Sequence, residues 1–329
     1  MTAATTDTPK TQPARTLAAL MIRLGAFAAF AGILIYFALT ARGFTSPYNL
    51  LNVIEQSAIL GILAYAMTVV FIGTGTDVQK GGIDLSIAAN AGLCAAVFAI
   101  MLRAGYPDVV AVGAAIGCGM IVGVLNGFAV VTLRIMPLLG TLAVMNIAAG
   151  LELTLTENTV VSATSPLLNF LSFGRIMGIS ALAWCLLIVS ALMIAGVHFT
   201  RTGLRLYAVG GHVEAARAAG INTGLYTFGA YIFSGFCAGL TSVLIVSRLS
   251  ASTPGTGLLL LPILAAALLG TVFSRRFVPT IGGTLLSVLF IGFLANGFQL
   301  LGVSSYWVSG VQGALILLVV AVTSFAKQN

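Results

Sequence analysis

The sequence predicts an all-α, polytopic membrane protein with about ten transmembrane helices. Of its 329 residues, 59% are hydrophobic and only 7% are charged, whereas soluble domains carry roughly 25% charged residues. The apolar residues also fall into long runs separated by short polar loops, and roughly 20 apolar residues in a helix are enough to cross a bilayer. No stretch is long and polar enough to form a separate soluble domain, so we expect membrane lipid around most of the chain.

The predicted spans follow the apolar runs in order. They lie near 17–40, 51–72, 84–103, 108–131, 137–155, 179–199, 224–247, 258–273, 280–297 and 306–325. We predict a polar leader at 1–16, one transmembrane domain at 17–326 and a short tail at 327–329. The first run is too long for a signal-peptide core, so we expect it to stay as a membrane helix. The loop after the fifth span is rich in Thr, Asn, Ser and Pro.

Three of these spans are weaker than the others. The polar segment GTGTDVQKGGIDLS separates the second from the third, and the eighth is short and contains Pro262. Irregular backbone at membrane depth is tolerated only where protein or a water-filled cavity surrounds it. Either protein or a water-filled cavity would then have to surround the connection between the second and third spans.

The basic residues set the orientation, because short loops rich in Lys and Arg are retained on the cytoplasmic side. With both termini in the cytoplasm, only four of the 15 Lys and Arg residues fall on the outer side. These four are Arg42, Arg103, Arg175 and Arg248. The loop at about 200–223 is then cytoplasmic.

That loop, RTGLRLYAVGGHVEAARAAGIN, is read as a polar connection that carries one short helix. Gly210 with Gly211, and Gly220, bracket an Ala-rich segment at 213–219 that has Glu214 early and Arg217 late, which suits a helix and its dipole. A rigid helix transmits displacement that a flexible loop would absorb, so we interpret the segment as a docking surface for a cytosolic partner. The alternative is a solvated loop with one helical turn. The docking residues are His212, Val213, Glu214, Ala215, Ala216, Arg217, Ala218, Ala219 and Gly220.

Polar side chains inside the spans are candidates for a transport path, because burying them in lipid without a partner costs several kcal/mol. Side-chain amides suit hydroxyl-rich neutral solutes, since each supplies donors and an acceptor. The alternative for each amide is a structural hydrogen bond to a neighbouring helix. Glu55 and Glu152 lie near the outer interface, where we expect solvation. The path candidates are Gln56, Asn90, Asn126, Asn146 and Asn296.

A short glycine-containing motif opens the third span. Its residues are Gly81, Gly82, Asp84 and Ser86, with Ile83 and Leu85 between them. Asp84 is placed to cap the third helix by accepting hydrogen bonds from the free amides of the first turn.

Several functions are disfavoured. There is no Walker-type Gly-Lys-Ser/Thr loop, so any energy source must lie on another chain. The basic residues are scattered rather than clustered with aromatics, which argues against nucleic acid. Cys94, Cys118, Cys185 and Cys237 lie in apolar runs without metal-ligand spacing, and we read them as packing residues. No Ser/His/Asp or paired-carboxylate arrangement indicates catalysis.

Several motifs, taken together in their order, resemble the ribose-type sugar permease family of bacterial ABC importers. They are SPYNLLNVIEQSAILGILAYAMTVV, GGIDLS, the Asn126-Gly127 pair, LRIMPLLGTL, the 201–222 stretch and LGVSSYW, which span nearly all of the chain after residue 43. The resemblance implies a fold similar to the cobalamin-type (type II) importer permease in the bacterial inner membrane. It implies a dimer with a second copy or a paralogous permease, a periplasmic sugar-binding protein, and ABC ATPase subunits that hold ATP and Mg. Residues 213–220 would be the coupling helix.

The sequence departs from the family pattern in two places. Residues 73–80 add about seven residues before GGIDLS by an unaligned estimate, and FSRRFVPTIGG at 273–283 replaces a glycine-rich turn. Both lie on the predicted cytoplasmic face and bear on which ATPase the chain pairs with.

Two other classes of protein remain as alternatives. A stand-alone secondary transporter or channel for a small polar solute would use buried titratable residues near mid-membrane, and the spans offer almost none away from their ends. A membrane enzyme on lipid-linked substrates would need clustered acids or histidines. Neighbouring genes for a Walker-motif ATPase and a secreted sugar-binding protein would favour the importer.

Overall fold

A computed structural model describes residues 12–75, 82–274 and 278–304, together with 307, 310–311 and 313–314. The predicted tail, most of the predicted leader, most of the tenth span, and Gly81 lie outside the described residues. So does most of the 73–80 segment.

The described residues are mostly helical, and their helices follow the predicted spans to within a few residues, except that the first begins five residues earlier. The helices are α1 (Gln12–Thr40), α2 (Pro47–Thr74), α3 (Ile87–Arg103), α4 (Asp108–Gly127), α5 (Pro137–Thr156), α6 (Pro166–Phe173), α7 (Ala181–His198), α8 (Arg201–Gly211), α9 (Val213–Ala218), α10 (Thr223–Leu249), α11 (Leu260–Val272) and α12 (Ile281–Leu300). A π-helical turn (Phe128–Thr132) extends α4, and a 3₁₀ turn (Thr256–Leu259) precedes α11.

Six helices in the described part of the chain are long and apolar enough to cross a membrane. They are α2, α4 with its π-helical turn, α5, α7, α10 and α12. The predicted third and eighth spans correspond to shorter apolar helices, at Ile87–Arg103 and Thr256–Val272. With 17 residues, α3 is only about 25 Å long, because the chain before it is not helical.

The centre of the fold is α2, which contacts α7, α10, α11 and α12. Every residue from 61 to 73 of this helix is buried. Hydrogen bonds between side chains join it to its neighbours, from the Tyr65 hydroxyl to Ser190 at 2.6 Å and from Thr68 to Thr284 at 2.7 Å. Such bonds satisfy polar groups that neither lipid nor water reaches.

The helices α4 and α10 pack closely along their length, and glycine makes this contact possible. A Cβ at Gly123 would meet the Tyr231 carbonyl, and a Cβ at Gly235 would meet the backbone of Gly119. Four glycines of α4, at 113, 117, 119 and 123, therefore split into two groups. Gly119 and Gly123 pack against α10, whereas a Cβ at Gly113 or Gly117 would meet no atom within 4 Å.

The loop after the fifth span has more structure than its composition indicates. It contains α6, whose first turn is capped by the Ser165 hydroxyl accepting from the Leu168 amide. Two short antiparallel pairings flank it. β1 (Val161–Ser162) pairs with β4 (Ala251–Ser252), and β2 (Arg175–Ile176) pairs with β3 (Ile179–Ser180).

Candidate functional site

The connection between α7 and α10 is built from two helices, which we call the α8–α9 unit (Arg201–Ala218). The short helix expected at 213–219 is present as α9. Reading the preceding residues as a non-helical loop was wrong, because 201–211 form α8. The signal was amphipathic spacing: Gly203, Leu206 and Val209 recur every three residues and are the buried positions of α8.

The two helices meet at a sharp break. His212 is extended, with φ −153° and ψ 93°, and α9 starts directly after it. Gly220 then adopts φ +78°, a conformation that glycine adopts without a steric penalty and that ends α9. The bracketing glycines therefore act as expected at the second end, whereas the first break occurs one residue after Gly211.

The surface of α9 is open. Only Ala216 is buried, and the Arg217 Nη1 and Glu214 Oε2 atoms form an ion pair of 3.3 Å between largely exposed side chains. An exposed pair of this kind contributes about 0–1 kcal/mol to stability. The fold therefore does not need these charges, and they are accessible to another chain.

The other helix of the unit rests on the end of α2. A Cβ at Gly210 would lie 2.8 Å from the Ile72 carbonyl carbon and 3.1 Å from the Gly75 amide nitrogen. Both neighbours are backbone atoms, so no side chain can move aside to make room. Gly210 therefore allows direct backbone contact between α8 and the central helix.

Two side chains of α8 extend this contact to other spans. The Tyr207 hydroxyl donates to the Pro279 carbonyl at 2.8 Å, just before α12. Burial raises the pKa of Tyr207 to about 12, which keeps the hydroxyl protonated. Arg205 Nη1 lies 3.4 Å from the Tyr226 hydroxyl in the first turn of α10. The α8–α9 unit therefore contacts α2, α10 and the chain just before α12.

The GGIDLS motif forms a buried polar cluster beside this region. Asp84 is 1% exposed and its Oδ1 accepts from the Ser86 amide at 3.0 Å, the Ser86 hydroxyl at 2.7 Å and Asn126 Nδ2 at 3.2 Å. Its Oδ2 accepts from the Ser234 hydroxyl at 2.6 Å. Four donors from three elements stabilise a carboxylate that lipid or a bare protein interior would not. Asp84 thereby ties the α2–α3 connection to α4 and α10.

The sequence predicted that Asp84 caps the third helix, and the structure differs from this prediction. The helix α3 begins at Ile87 and its N-cap position is Ser86, so Asp84 stands two residues earlier and accepts from the Ser86 amide instead of from the first turn. The described part of this connection is surrounded by protein, since Gly82, Ile83, Asp84 and Ser86 are all buried. A Cβ at Gly82 would lie 2.6 Å from the Tyr231 hydroxyl oxygen, which explains the glycine.

Three of the five path candidates are engaged in structural hydrogen bonds. Asn126 donates to Asp84 and to Ser86, and Asn90 Nδ2 donates to the Gly119 carbonyl at 3.2 Å. Asn296 and Asn49 exchange two side-chain hydrogen bonds of 2.8 and 3.0 Å. All three candidates are buried, so their amides hold helices together in this conformation.

The other two candidates are more accessible. Asn146 is exposed on α5 and donates only along its own helix, to the Leu142 carbonyl at 2.9 Å. Gln56 is half-buried in α2. The two amides therefore keep hydrogen-bonding capacity that a solute can use.

Glu152 was expected to be solvated, and that expectation was wrong. It is 4% exposed and its carboxylate faces α3 at Gly92, where a Cβ would lie 2.6 Å from Oε2. Its Oε1 is buried without a hydrogen-bond partner among the described residues. Glu152 lies one turn from the end of α5, but it points into the bundle because that side of α5 packs on α3.

The described residues contain no group of three or more His, Cys, Asp or Glu side chains placed to hold a metal ion. The four cysteines are free, with Cys94 and Cys237 buried. Cys94 Sγ lies 3.4 Å from Asn90 Oδ1 and also contacts the Cys118 thiol, so its environment is that of a packing residue with weak polar contacts.

Comparison with known proteins identifies relatives across almost the whole chain. Ribose import permease protein RbsC of Escherichia coli (strain K12) is 34% identical over 280 residues, covering 83% of this chain and 85% of that protein. The Bacillus subtilis (strain 168) protein of the same name is 33% identical and covers 92% of each chain. The L-arabinose ABC transporter permease protein AraH of Azospirillum brasilense is 27% identical over 94% of this chain and 90% of that protein.

A family model agrees with these similarities. The model describes the permease component of the branched-chain amino acid transport system and matches residues 49–320. That range includes the buried motif around Asp84 and the whole α8–α9 unit. The chain belongs to this family of transport-system permease components.

Proposed function

We propose that this chain is the membrane-spanning permease subunit of an ATP-driven ABC importer, and that it translocates a sugar or sugar-like solute delivered by a periplasmic binding protein. The carrying observation is the α8–α9 unit: α9 is exposed to a partner, and α8 contacts the central helix backbone to backbone at Gly210. The relatives, a ribose import permease and an L-arabinose ABC transporter permease, support the solute class.

In the proposed mechanism a separate ABC ATPase holds ATP and Mg and seats α9. When the ATPase closes on ATP, α9 is displaced and α8 moves with it. Because α8 touches α2, α10 and the chain before α12, the displacement biases the tilt of these helices together. The solute path through the membrane domain then closes on one face of the membrane and opens on the other.

The proposed architecture is a ten-helix permease of the cobalamin-type fold in the bacterial inner membrane. It has one transmembrane domain at 17–326 and cytoplasmic leader and tail. We propose that it pairs with a second copy or a paralogous permease, and that Asn146 on the exposed side of α5 faces the path between them. An exposed amide in a membrane span supports this, since lipid gives it no partner.

Exchanging the charges of α9 tests the coupling proposal. Glu214→Arg combined with Arg217→Glu keeps the internal ion pair but inverts the pattern shown to a partner. We expect uptake to fall at least tenfold while the chain still reaches the membrane, with ATP hydrolysis uncoupled. Arg134→Asn, which removes an exposed charge from another loop on the same predicted face, is the control. Normal uptake by the exchanged variant would refute the assignment of α9.

Co-purification tests the class of transporter. The tagged chain, extracted in mild detergent, should retain a Walker-motif ATPase identifiable by mass spectrometry. One observation favours the alternative of a secondary transporter: Asp84 and Glu152 are both buried carboxylates, the kind of group that ion-coupled transporters use. Recovery of the chain alone, with uptake in vesicles that an ionophore abolishes, would support that alternative and overturn the importer.

A further inference from the structure

An apolar groove runs between α7, α8 and α10, with α2 as its floor. Its volume is about 710 Å³, within the roughly 300–1,000 Å³ typical of ligand sites. Val69 lies on the floor, Val197 and Leu206 form one side, and Phe233 and Leu240 form the other. One end of the groove is formed by the first turns of α8.

Two glycines keep the groove open. Gly196 of α7 and Gly229 of α10 both line it, and a Cβ built on either would meet no atom within 4 Å. Neither glycine is therefore required for close helix packing, in contrast to Gly119 and Gly123. Their effect is to leave room between two membrane helices.

The chemistry of the lining excludes a sugar and suits hydrocarbon. Apart from the side chains of Thr202 and Tyr226, the residues that form the groove are apolar. A sugar bound there would lose its hydrogen bonds to water without replacement, which costs several kcal/mol. An acyl chain has no hydrogen bonds to lose when it enters the groove.

Cationic groups stand at the α8 end of the groove. Arg205 Nη1 lies 3.4 Å from the hydroxyl of Tyr226, which lines the groove. Arg201 lies one turn earlier on the same helix, so the two side chains share a face, and both are exposed. Among the described residues, the one ion pair joins Arg217 and Glu214. The guanidinium groups of Arg201 and Arg205 therefore have no carboxylate partner in the described part of the chain.

We propose that this groove is a binding site for an anionic phospholipid, with an acyl chain between α7 and α10 and the phosphate held by Arg205 and Arg201. Basic pockets between membrane helices recognise lipid headgroups in this way. A neutral or apolar occupant would leave the two cations uncompensated, whereas a soluble anion would leave the groove unfilled. Because α8 forms one wall, bound lipid holds α8 against the bundle.

Lipid retention by the purified full-length chain tests the site. Native mass spectrometry in detergent would follow titration with phosphatidylglycerol and, in parallel, phosphatidylcholine with the same acyl chains. We expect one phosphatidylglycerol to be retained in preference to phosphatidylcholine. The Arg201→Gln, Arg205→Gln double variant should bind phosphatidylglycerol roughly 30-fold more weakly, with phosphatidylcholine unaffected.

Matched controls separate the site from general attraction to the surface. Arg134→Asn removes a cation from another exposed position, and asparagine tolerates its left-handed backbone, φ 56°. It should bind phosphatidylglycerol like the unmodified chain. Gly229→Leu fills the groove and should reduce retention of both lipids, whereas Gly113→Leu, on the exposed side of α4 with equal free space, should not.

The proposal fails under three results. Equal retention of the two lipids by the unmodified chain would show that the site does not select an anionic headgroup. A double variant that still prefers phosphatidylglycerol would show that Arg201 and Arg205 do not hold the phosphate. Undiminished retention by Gly229→Leu would show that the acyl chain lies elsewhere.

Discussion

Two adjacent glycines of α8 allow the contact between α8 and α2 to be tested by a single methyl group. A Cβ at Gly210 would lie 2.8 Å from the Ile72 carbonyl carbon, whereas a Cβ at Gly211 would meet no atom within 4 Å. Gly210→Ala therefore forces α8 away from the end of α2, and Gly211→Ala does not. The two variants have the same composition and lie in the same helix.

The size of the effect follows from the geometry. The Ile72 carbonyl oxygen is even closer to that Cβ than the carbonyl carbon. Because non-bonded heavy atoms sit roughly 3.5–4.0 Å apart, α8 must retreat by more than about 1 Å to accommodate the methyl group at Gly210. Overpacking of this kind costs about 1–3 kcal/mol. Alanine in place of glycine within a helix returns about 0.5–1 kcal/mol. We expect Gly210→Ala to be destabilised by about 0–2.5 kcal/mol and Gly211→Ala to be slightly stabilised.

The functional difference should be larger than the difference in stability, because the contact lies on the proposed route from the ATPase to the spans. Each variant would be reconstituted with its ATPase and binding protein, and solute uptake and ATP hydrolysis measured together. Gly210→Ala should lower the uptake per ATP hydrolysed severalfold, and Gly211→Ala should leave it unchanged. Equal coupling ratios in the two variants would refute the reasoning that α8 acts through its contact with α2.

Three further substitutions test other parts of the structure. Asp84→Ala leaves four buried donors without their acceptor and should lower the unfolding free energy by at least about 3 kcal/mol. Asp84→Asn keeps one oxygen and should lower the unfolding free energy by less. Both changes can be measured as melting curves, by following the reaction of a dye with the buried thiols during heating. Asn146→Leu should reduce uptake without changing that melting curve, and unchanged uptake and solute specificity would remove Asn146 from the path. Tyr207→Phe breaks the 2.8 Å bond to Pro279 and should lower the melting temperature by an amount equivalent to about 1 kcal/mol; an unchanged melting curve would contradict this.

The limits of the helices could be predicted from the sequence because lipid imposes them. A backbone in hydrocarbon must satisfy its own hydrogen bonds, so an apolar run long enough to cross becomes a helix whatever its neighbours are. The predicted 224–247 and 280–297 spans accordingly match α10 and α12 closely. No such constraint acts on the polar 201–211 segment, whose helix depends on burying three small or apolar residues against the bundle.

The partners of polar side chains could not be predicted from the sequence. Distance along a helix indicated that Glu152 lies near the end of a span, but the direction in which it points depends on where α3 packs. The same holds for Asn90, Asn126 and Asn296, whose hydrogen-bond acceptors lie on elements distant in the chain. Asn146 differs from them only in the side of its helix, and that side is set by tertiary packing.

The exposure of α9 has an evolutionary consequence. Five of its six residues are not buried, so substitutions there carry little penalty in folding, whereas even alanine at Gly210 requires α8 to move. Under the proposed coupling role, the docking surface is free to vary toward a different ATPase, whereas the contact between α8 and α2 behind it is not. The proposal thus predicts that a permease of this kind can change its ATPase without changes in its membrane domain.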